Sequence, residues 1–188
     1  MGVAAFAAEV ERHSPRTGAP SLGPVGAGAT LVFFTDYQCP VCPRAARELD
    51  QLVADFGGRV RVELKHHPLA MHSGAFDAAA AAKAAQRQGK FWDYHRLLIE
   101  SRAFDPATLR RLAGEAGLDM TAFDKDFKDA ALRQEVAAEA KQAESVGAGG
   151  TPGFLINGHV EVGWASYAWL RQVVERHMTP PAGKPSET

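Results

Sequence analysis

The two cysteines, Cys39 and Cys42, are the only ones among 188 residues, and they lie where one backbone pattern gives way to another. Before them, the apolar run Leu-Val-Phe-Phe-Thr at residues 31–35 is typical of a strand buried on both faces. After them, apolar residues recur at helical spacing as far as Phe56, and two glycines then end the helix. A chain with no other cysteine that holds this pair at a strand-to-helix turn is suited to thiol–disulfide exchange.

The patterns along the rest of the chain predict an α/β fold. Residues 60–65 alternate with period two, which predicts a second strand parallel to the first. Residues 73–145 have a wholly helical pattern, and β structure returns at residues 154–162, where Asn157-Gly158 is a strong hairpin signal. Residues 167–177 predict a final amphipathic helix. A strand–helix–strand half joined to a hairpin–helix half is the thioredoxin arrangement, here a thioredoxin fold with an inserted all-helical subdomain.

The same patterns predict how the chain is divided. The predicted units are an N-terminal helix or extension at residues 1–19, a thioredoxin-like domain at 20–66 and 148–178, a helical insertion at 67–147 and a disordered tail at 179–188. Within the first unit a short helix is expected at residues 3–13, followed by an irregular Gly/Pro stretch. The tail is Pro-rich and polar, which disfavours a packed structure.

Charge and hydropathy exclude some classes of partner. The formal net charge is -1, so there is no electrostatic case for nucleic acid or an anionic membrane as partner. No apolar run approaches the roughly 18 residues of a transmembrane helix, so no membrane insertion is expected. The first residues lack a basic stretch and are interrupted by Glu9 and Glu11, unlike a signal peptide.

Helix geometry predicts different roles for the two thiols. If Cys39 is the N-cap of a helix that begins at Pro40, the N–H groups of Val41 and Cys42 face its sulfur. Those N–H groups and the helix dipole favour a thiolate, which lowers the pKa of the thiol. We therefore expect Cys39 to be the exposed attacking thiol and Cys42 to be the buried resolving thiol.

A structural role for the pair is the alternative to a redox role. A four-cysteine zinc site is excluded because only two cysteines exist. A site of two cysteines and two histidines would need histidines to converge on the pair. The candidates are His66, His67, His72 and His95, and none of them has finger-like spacing. A buried structural disulfide would contribute little, because the closed loop is so short. No metal is expected.

The dipeptide Thr151-Pro152 leads directly into the predicted hairpin. A proline at the start of a strand is one place where a cis peptide bond occurs, although a plain loop proline opening an edge strand has the same signature.

Several separated motifs together resemble the DsbA-like thiol oxidoreductases: FTDYQCPVC at residues 34–42, HPL at 67–69 with His72, GKFW at 89–92 and GTPGFLING at 150–158. The match runs from about Pro20 to His177. The resemblance implies a thioredoxin fold with a helical insert and an active site on Cys39 and Cys42, with Pro40 and Val41 as the dipeptide between them. It also implies a cis peptide before Pro152, packed against the disulfide. Thr151 would then offer its backbone to an extended substrate chain, as in β-augmentation.

The chain departs from that family at two positions. Family members often carry a buried acid six residues before the first cysteine, where this chain has Phe33. The dipeptide between the cysteines is Pro-Val, without the histidine of the strongest oxidants, and Val41 cannot stabilise the thiolate as a cation. These departures predict a milder oxidant than the founding DsbA.

Two charged residues are further candidates for tuning the thiols. Asp36 lies three residues before Cys39 and could adjust its pKa or relay a proton, but a polar residue that caps the loop after the strand is the favoured interpretation. Lys65 ends the second predicted strand and could handle protons near the active-site helix, or simply be solvated. The neighbouring His66 and His67 are interpreted as surface histidines.

The sequence therefore predicts a protein thiol–disulfide oxidoreductase with no cofactor beyond the Cys39–Cys42 disulfide. Its partners would be proteins or peptides with thiols or disulfides, and an unidentified redox partner that recharges it. A glutathione-dependent isomerase or transferase on the same fold needs only one thiol, so the complete pair argues against it. A non-catalytic metal-binding or chaperone module is the remaining alternative. Disulfide catalysts mostly serve oxidising compartments, which favours the periplasm or cell envelope, while the cytoplasm stays open.

Overall fold

The computed structural model describes residues 10–15, 18–164 and 166–178. Six strands form one mixed sheet in the order β1-β2-β4-β3-β5-β6. The strands are β1 (Arg12–His13), β2 (Ser21–Leu22), β3 (Ala29–Thr35), β4 (Val60–His66), β5 (Gly153–Ile156) and β6 (His159–Val162). The helices in the described ranges are α1 (Cys42–Asp55), α2 (Ala75–Arg87), α3 (Phe91–Glu100), α4 (Pro106–Glu115), α5 (Met120–Phe127), α6 (Ala130–Ser145) and α7 (Tyr167–His177). None of these helices is long and apolar enough to cross a membrane.

The centre of the sheet is the strand–helix–strand unit of β3, α1 and β4. β3 and β4 are parallel, with Phe33 opposite Leu64, and β5 joins the other edge of β3 antiparallel, with Phe33 opposite Phe154. The parallel pair and the thioredoxin fold with a helical insertion are therefore confirmed. Because β5 runs against β3, the end of β3 and the start of β5 lie at the same edge of the sheet. Cys39 follows one of these strand ends and Pro152 precedes the other.

Alternate side chains of β3 belong to two different apolar clusters. Leu31 and Phe33 pack in the main core with side chains of α1 and α7, whereas Phe34 packs with Ala143 and Ala148 at the end of α6. Successive side chains of a strand point to opposite faces, so the sheet is covered on both sides around β3. This explains the unbroken apolar run in the sequence.

The hairpin between β5 and β6 is confirmed. Asn157 and Gly158 form its turn with φ values of 46° and 88°. A two-residue turn of this type requires positive φ at both positions, which Asn and Gly tolerate best.

The N-terminal part differs from prediction. Instead of a helix reaching residue 13 and an irregular stretch after it, residues 12–13 and 21–22 are short strands, and β2 pairs with β4. The rest of the predicted helix, and the tail at 179–188, lie outside the described residues. The strands form because the outer edge of β4 presents free N–H and C=O groups that β2 pairs. Gly23 allows the close approach, since a Cβ there would lie 2.5 Å from the carbonyl oxygen of Val60.

The helices between β4 and β5 are built around α2, whose alanines are buried among α3, α4, α5 and α6. Side-chain oxygens of Asp105, Asp119 and Asp129 accept hydrogen bonds from the first-turn N–H groups of α4, α5 and α6. Aspartate is a favoured N-cap residue, because its side-chain oxygen accepts from N–H groups that have no partner within the helix.

Candidate functional site

The turn that carries the cysteines runs from the end of β3 at Thr35 to the start of α1. The helix begins at Cys42 with Val41 as its N-cap, so the prediction of a helix from Pro40 with Cys39 as N-cap is wrong. Pro43 is the physical reason: it has no N–H to donate to the Cys39 carbonyl, and the first helical hydrogen bonds run to the Val41 oxygen instead.

The two thiols differ in exposure less than expected. Cys39 is 6% exposed and Cys42 is 1% exposed, so both are buried and the prediction of an exposed Cys39 is wrong in degree. Cys39 is the more accessible of the two. They are not joined by a disulfide in the structure.

The surroundings of Cys39 stabilise its thiolate. A hydrogen bond from the Cys42 thiol is the largest cause, and it outweighs burial, which alone would raise the pKa. Thr151, whose hydroxyl has no other hydrogen-bond partner in the described residues, and the backbone N–H groups of Val41 and Cys42 lower it further. Together they lower the pKa of Cys39 from its ordinary value to about 5. The N–H groups act on the sulfur although Cys39 is not itself the N-cap.

The surroundings of Cys42 have the opposite effect. Burial raises the pKa of the Cys42 thiol far above its ordinary value, and the hydrogen bond to Cys39 raises it further. Contacts with the Thr35 side chain and the Asp36 backbone act in the other direction but are smaller. At neutral pH the pair therefore holds one negative charge, on Cys39.

The segment before β5 lies directly against Cys39. The peptide bond between Thr151 and Pro152 is cis, and the Cys39 sulfur lies 3.4 Å from the Thr151 carbonyl oxygen, to which it donates when it is protonated. Pro152 is buried, and its carbonyl accepts from the Gly163 N–H at 2.8 Å. The sequence separation of 112 residues between Cys39 and Thr151 is closed by the antiparallel pairing of β3 and β5.

The dipeptide between the cysteines lies at the surface of the site. Pro40 is exposed and Val41 is half-buried. A partner that approaches Cys39 therefore meets the proline first.

Asp36 is buried and fixes two loops. Its Oδ1 accepts from the Gln38 N–H at 2.7 Å, and its Oδ2 accepts from the Leu69 N–H at 2.9 Å and contacts His72 Nδ1 at 2.7 Å. These contacts are those of a loop-capping carboxylate, which is the interpretation that the sequence favoured.

Lys65 lies on β4 and faces α6. Its amino group donates to Gln142 Oε1 at 2.7 Å, and the structure gives it no contact with either cysteine. The structure thus places Thr151 and Pro152 beside the cysteines, whereas Lys65 contacts Gln142 of α6.

Phe33 lies six residues before the first cysteine, where members of the family often carry a buried acid. It is an ordinary core residue. It is fully buried and stacks on Phe154 with ring centroids 5.4 Å apart. The polar side chain that contacts Cys42 instead is Thr35, the last residue of β3. The sequence signal for Thr35 was weak, because a threonine in a strand is common for its β-branched shape alone.

A group of buried polar residues behind the site was missed. His66 and His67 are 0% and 3% exposed, so their interpretation as surface histidines is wrong. His66 Nδ1 contacts Glu139 at 2.9 Å, and His95 Nδ1 contacts the Tyr37 hydroxyl at 2.9 Å.

Three of the candidate zinc-ligating histidines, His66, His72 and His95, therefore have other partners, whereas the ring nitrogens of His67 are buried without a hydrogen-bond partner in the described residues. Within the described ranges, no group of three or more His, Cys, Asp and Glu side chains has the arrangement of a metal site. Burial lowers the pKa of His95 to about 3, which keeps its ring neutral.

The family model of the DSBA-like thioredoxin domain matches residues 30–175, which include both cysteines and Pro152. The chain belongs to the DSBA-like thioredoxin domain family. The match covers more than half of the chain and spans every element from β3 to α7.

Solved structures of other DSBA-like and thioredoxin-like proteins have the same fold. A thioredoxin-like oxidoreductase from Silicibacter pomeroyi superposes with a TM-score of 0.75 at 30% identity, over 87% of this chain and 95% of that one. The thiol-disulfide exchange protein alpha-DsbA2 from Wolbachia pipientis superposes with a TM-score of 0.74 at 24% identity, over 84% and 86%.

Curated relatives of this DSBA-like chain carry a different name. A protein of Mycolicibacterium vanbaalenii named Na(+)/H(+) antiporter NhaA 1 is 35% identical over 140 residues, which are 72% of this chain and 23% of that protein. The chain thus spans about a quarter of the length of that relative, and the transport named for the whole protein is not assigned to it.

Proposed function

We propose that this protein is a thiol–disulfide oxidoreductase that exchanges a Cys39–Cys42 disulfide with thiols of other proteins. The observation that carries the proposal is that the two thiols differ in pKa: the pKa of Cys39 is lowered to about 5, and the pKa of Cys42 is raised. The thiolate is the reactive form, and a redox thiol needs a partner that stays protonated until it is required.

In the oxidising direction a substrate thiolate attacks the Cys39 sulfur of the disulfide. A bond forms between the substrate sulfur and Cys39, the Cys39–Cys42 bond breaks, and Cys42 leaves as a thiolate that takes up a proton. A second substrate thiolate then attacks the first substrate sulfur, and Cys39 leaves as a thiolate. Two electrons pass from the substrate dithiol to the protein. The low pKa of Cys39 makes it a good leaving group in the second step.

Thr151 is proposed as the substrate-binding residue. Its carbonyl lies 3.4 Å from the Cys39 sulfur, so an extended peptide joined to Cys39 would run beside this segment. Backbone hydrogen bonds to such a peptide depend little on its sequence. Proteins or peptides with thiols or disulfides are the proposed partners, with a separate redox partner that recharges the pair and no cofactor beyond it.

An oxidising compartment is the proposed location. Disulfide catalysts act where disulfides persist, outside the reducing cytoplasm. A related structure with a TM-score of 0.68 and 24% identity is named a periplasmic thioredoxin-like protein from Salmonella enterica. We therefore favour the periplasm or cell envelope.

The proposal is tested by comparing the wild-type protein with Cys39→Ser. Two assays cover both directions: reduction of insulin, and oxidative refolding of a reduced, unfolded protein. We expect Cys39→Ser to fall to the uncatalysed rate in both, because the attacking sulfur is gone. Full activity in Cys39→Ser would refute the mechanism and favour a chaperone, and stoichiometric metal in the reduced wild type would favour a metal-binding module.

A further inference from the structure

A groove of about 520 Å³ opens beside Cys39. One side is the active-site turn and the first turn of α1, including Pro40 and Arg44. The other side is the loop that follows α3, including Glu100 and Arg102. The groove therefore leads from the reactive sulfur toward the loop after α3, on residues other than the Thr151 segment.

Arginine dominates the charge of this groove. Its lining contains three arginines and one glutamate: Arg44, Arg47, Arg102 and Glu100. The protein as a whole has a formal net charge of -1, so the positive charge is local to the groove.

Only one of the three arginines is neutralised by an ion pair. Arg47 pairs with Glu100 at 2.8 Å. Arg102 is exposed and has no hydrogen bond or ion pair to any described residue. A guanidinium held next to a reactive site without a carboxylate partner has donors available for a ligand.

Arg44 is held in place without being neutralised. Its guanidinium lies over the Trp164 ring, 4.8 Å from the centroid, and the indole N–H of Trp164 donates to Glu48 at 2.9 Å. Burial raises the pKa of Glu48 and the charge of Arg44 opposes this change, but the two side chains do not form an ion pair. Stacking on the ring fixes the plane of the guanidinium and leaves its edge free for hydrogen bonds.

We propose that this groove selects substrates whose reactive cysteine is flanked by acidic residues, with Arg44 and Arg102 as the carboxylate-recognising side chains. The inference rests on the proposed function, since it names the substrate class of the same site. Guanidinium and carboxylate pair in a bidentate geometry. Exposed ion pairs add little affinity, so the selection acts mainly on the rate of encounter.

The test uses the oxidised protein and three peptides of equal length that contain one cysteine. Two flanking positions are both Glu, both Gln or both Lys, and the second-order rate constant of mixed-disulfide formation is measured at low and high salt. The flanking charge also changes the pKa of the peptide's own thiol, and therefore its reactivity. Each rate constant is therefore divided by that of the same peptide with a small neutral disulfide.

We expect normalised rate constants in the order Glu, Gln, Lys, with a span on the order of tenfold at low salt that shrinks at high salt. Arg102→Glu should reverse the order, and Arg44→Glu should reduce the span. Arg111→Glu is the matched control, because it makes the same charge change on α4, which contributes nothing to the groove. Circular dichroism checks that each variant is folded.

The two proposals fail in different ways. If the Gln peptide does not react, the proposed oxidoreductase function is wrong. If it reacts but the three normalised rates are equal, or if Arg102→Glu and Arg111→Glu behave alike, exchange stands and the acidic selection is overturned.

Discussion

At the scale of single residues, the chemistry depends on an asymmetry between two sulfurs three positions apart. Both thiols are buried, yet their pKa values move in opposite directions. The hydrogen bond from the Cys42 S–H is the largest cause of the lowered pKa of Cys39, because a hydrogen bond stabilises the charged form of its acceptor. Burial is the largest cause of the raised pKa of Cys42, and the same hydrogen bond raises it further.

Removal of the Cys42 donor should raise the pKa of Cys39. Cys42→Ala deletes the hydrogen bond that lowers the pKa of Cys39 most, so that pKa should rise well above about 5. Cys42→Ser keeps an O–H donor in the same place and should leave the pKa of Cys39 closer to that of the reduced wild type. The thiolate absorbance in the ultraviolet, titrated against pH, measures both. Equal pKa values in the two variants would contradict the assignment.

The expectation of a milder oxidant than the founding DsbA stays a prediction. A more stable thiolate stabilises the reduced form and makes the disulfide more oxidising. The pKa of Cys39 is lowered, chiefly by the hydrogen bond from Cys42, but no histidine lies between the cysteines to stabilise the thiolate further. The expectation rests on that absence.

At the scale of elements, the active-site turn is held by a residue that does not touch the cysteines through its side chain. The Asp36 carboxylate joins the turn after β3 to the loop at residues 69–72, and its backbone carbonyl accepts from the Cys39 N–H at 3.2 Å. The position of Cys39 therefore depends on two loops that are far apart in the sequence.

Asp36→Ala should destabilise the protein by about 1–3 kcal/mol, because the partly buried N–H groups of Gln38 and Leu69 lose a buried acceptor. Urea unfolding gives the free energy. Asp93→Ala is the matched control: Asp93 pairs with Arg96 on an exposed helix face, and its loss should cost less than about 0.5 kcal/mol. Similar losses in the two variants would show that Asp36 does not anchor the turn.

The elements that the sequence predicted correctly are those with local signals. Helical spacing, glycine stops and the Asn157-Gly158 turn are local signals, so the helical range at residues 73–145 and the hairpin could be located. The strands at residues 12–13 and 21–22 were missed because two-residue strands exist only through pairing with the distant edge of β4. The start of α1 was misplaced because Pro43 removes a hydrogen bond one turn later than the predicted cap.

In the candidate site, too, the residues with local signals could be predicted and those that depend on distant contacts could not. Cys39, Cys42 and Thr151-Pro152 could be found from motif and spacing, and the structure brings them together. The contact of Thr35 with Cys42 and the burial of His66 could not be found. Both depend on contacts with residues in other elements, such as Glu139, which lies 73 residues after His66.

At the scale of the whole molecule, one largely buried carboxylate joins the sheet to the helical insertion. Glu139 of α6 accepts from the His66 backbone N–H at 2.8 Å, contacts the His66 ring at 2.9 Å and pairs with Lys83 of α2 at 2.6 Å. The His66 ring lies 5.8 Å from that of Tyr37, two residues before Cys39. The insertion is thereby connected, through polar contacts and one ring contact, to the segment that precedes Cys39.

Removing this carboxylate should cost several times more than removing its neighbour. Glu139→Gln leaves buried Lys83 without its nearest counter-charge, and we expect a loss of about 3 kcal/mol at neutral pH. Glu135→Gln is the matched control, since Glu135 is half-exposed and 3.6 Å from the Lys83 amino group, and its loss should stay below about 1 kcal/mol.

The pH dependence separates the charge of Glu139 from its shape. Burial alone would raise the pKa of Glu139, but the hydrogen bond from His66 and the charge of Lys83 lower it to about 2. Its ordinary value is 4.5, so its contribution is fully present above about pH 4.5 and is lost as the pH falls through about 2. The wild type should therefore lose stability relative to Glu139→Gln as the pH is lowered from 5 to 3, by roughly 2 kcal/mol. Urea unfolding at several pH values measures the difference, and a gap that stays constant over this range would show that Glu139 contributes shape alone.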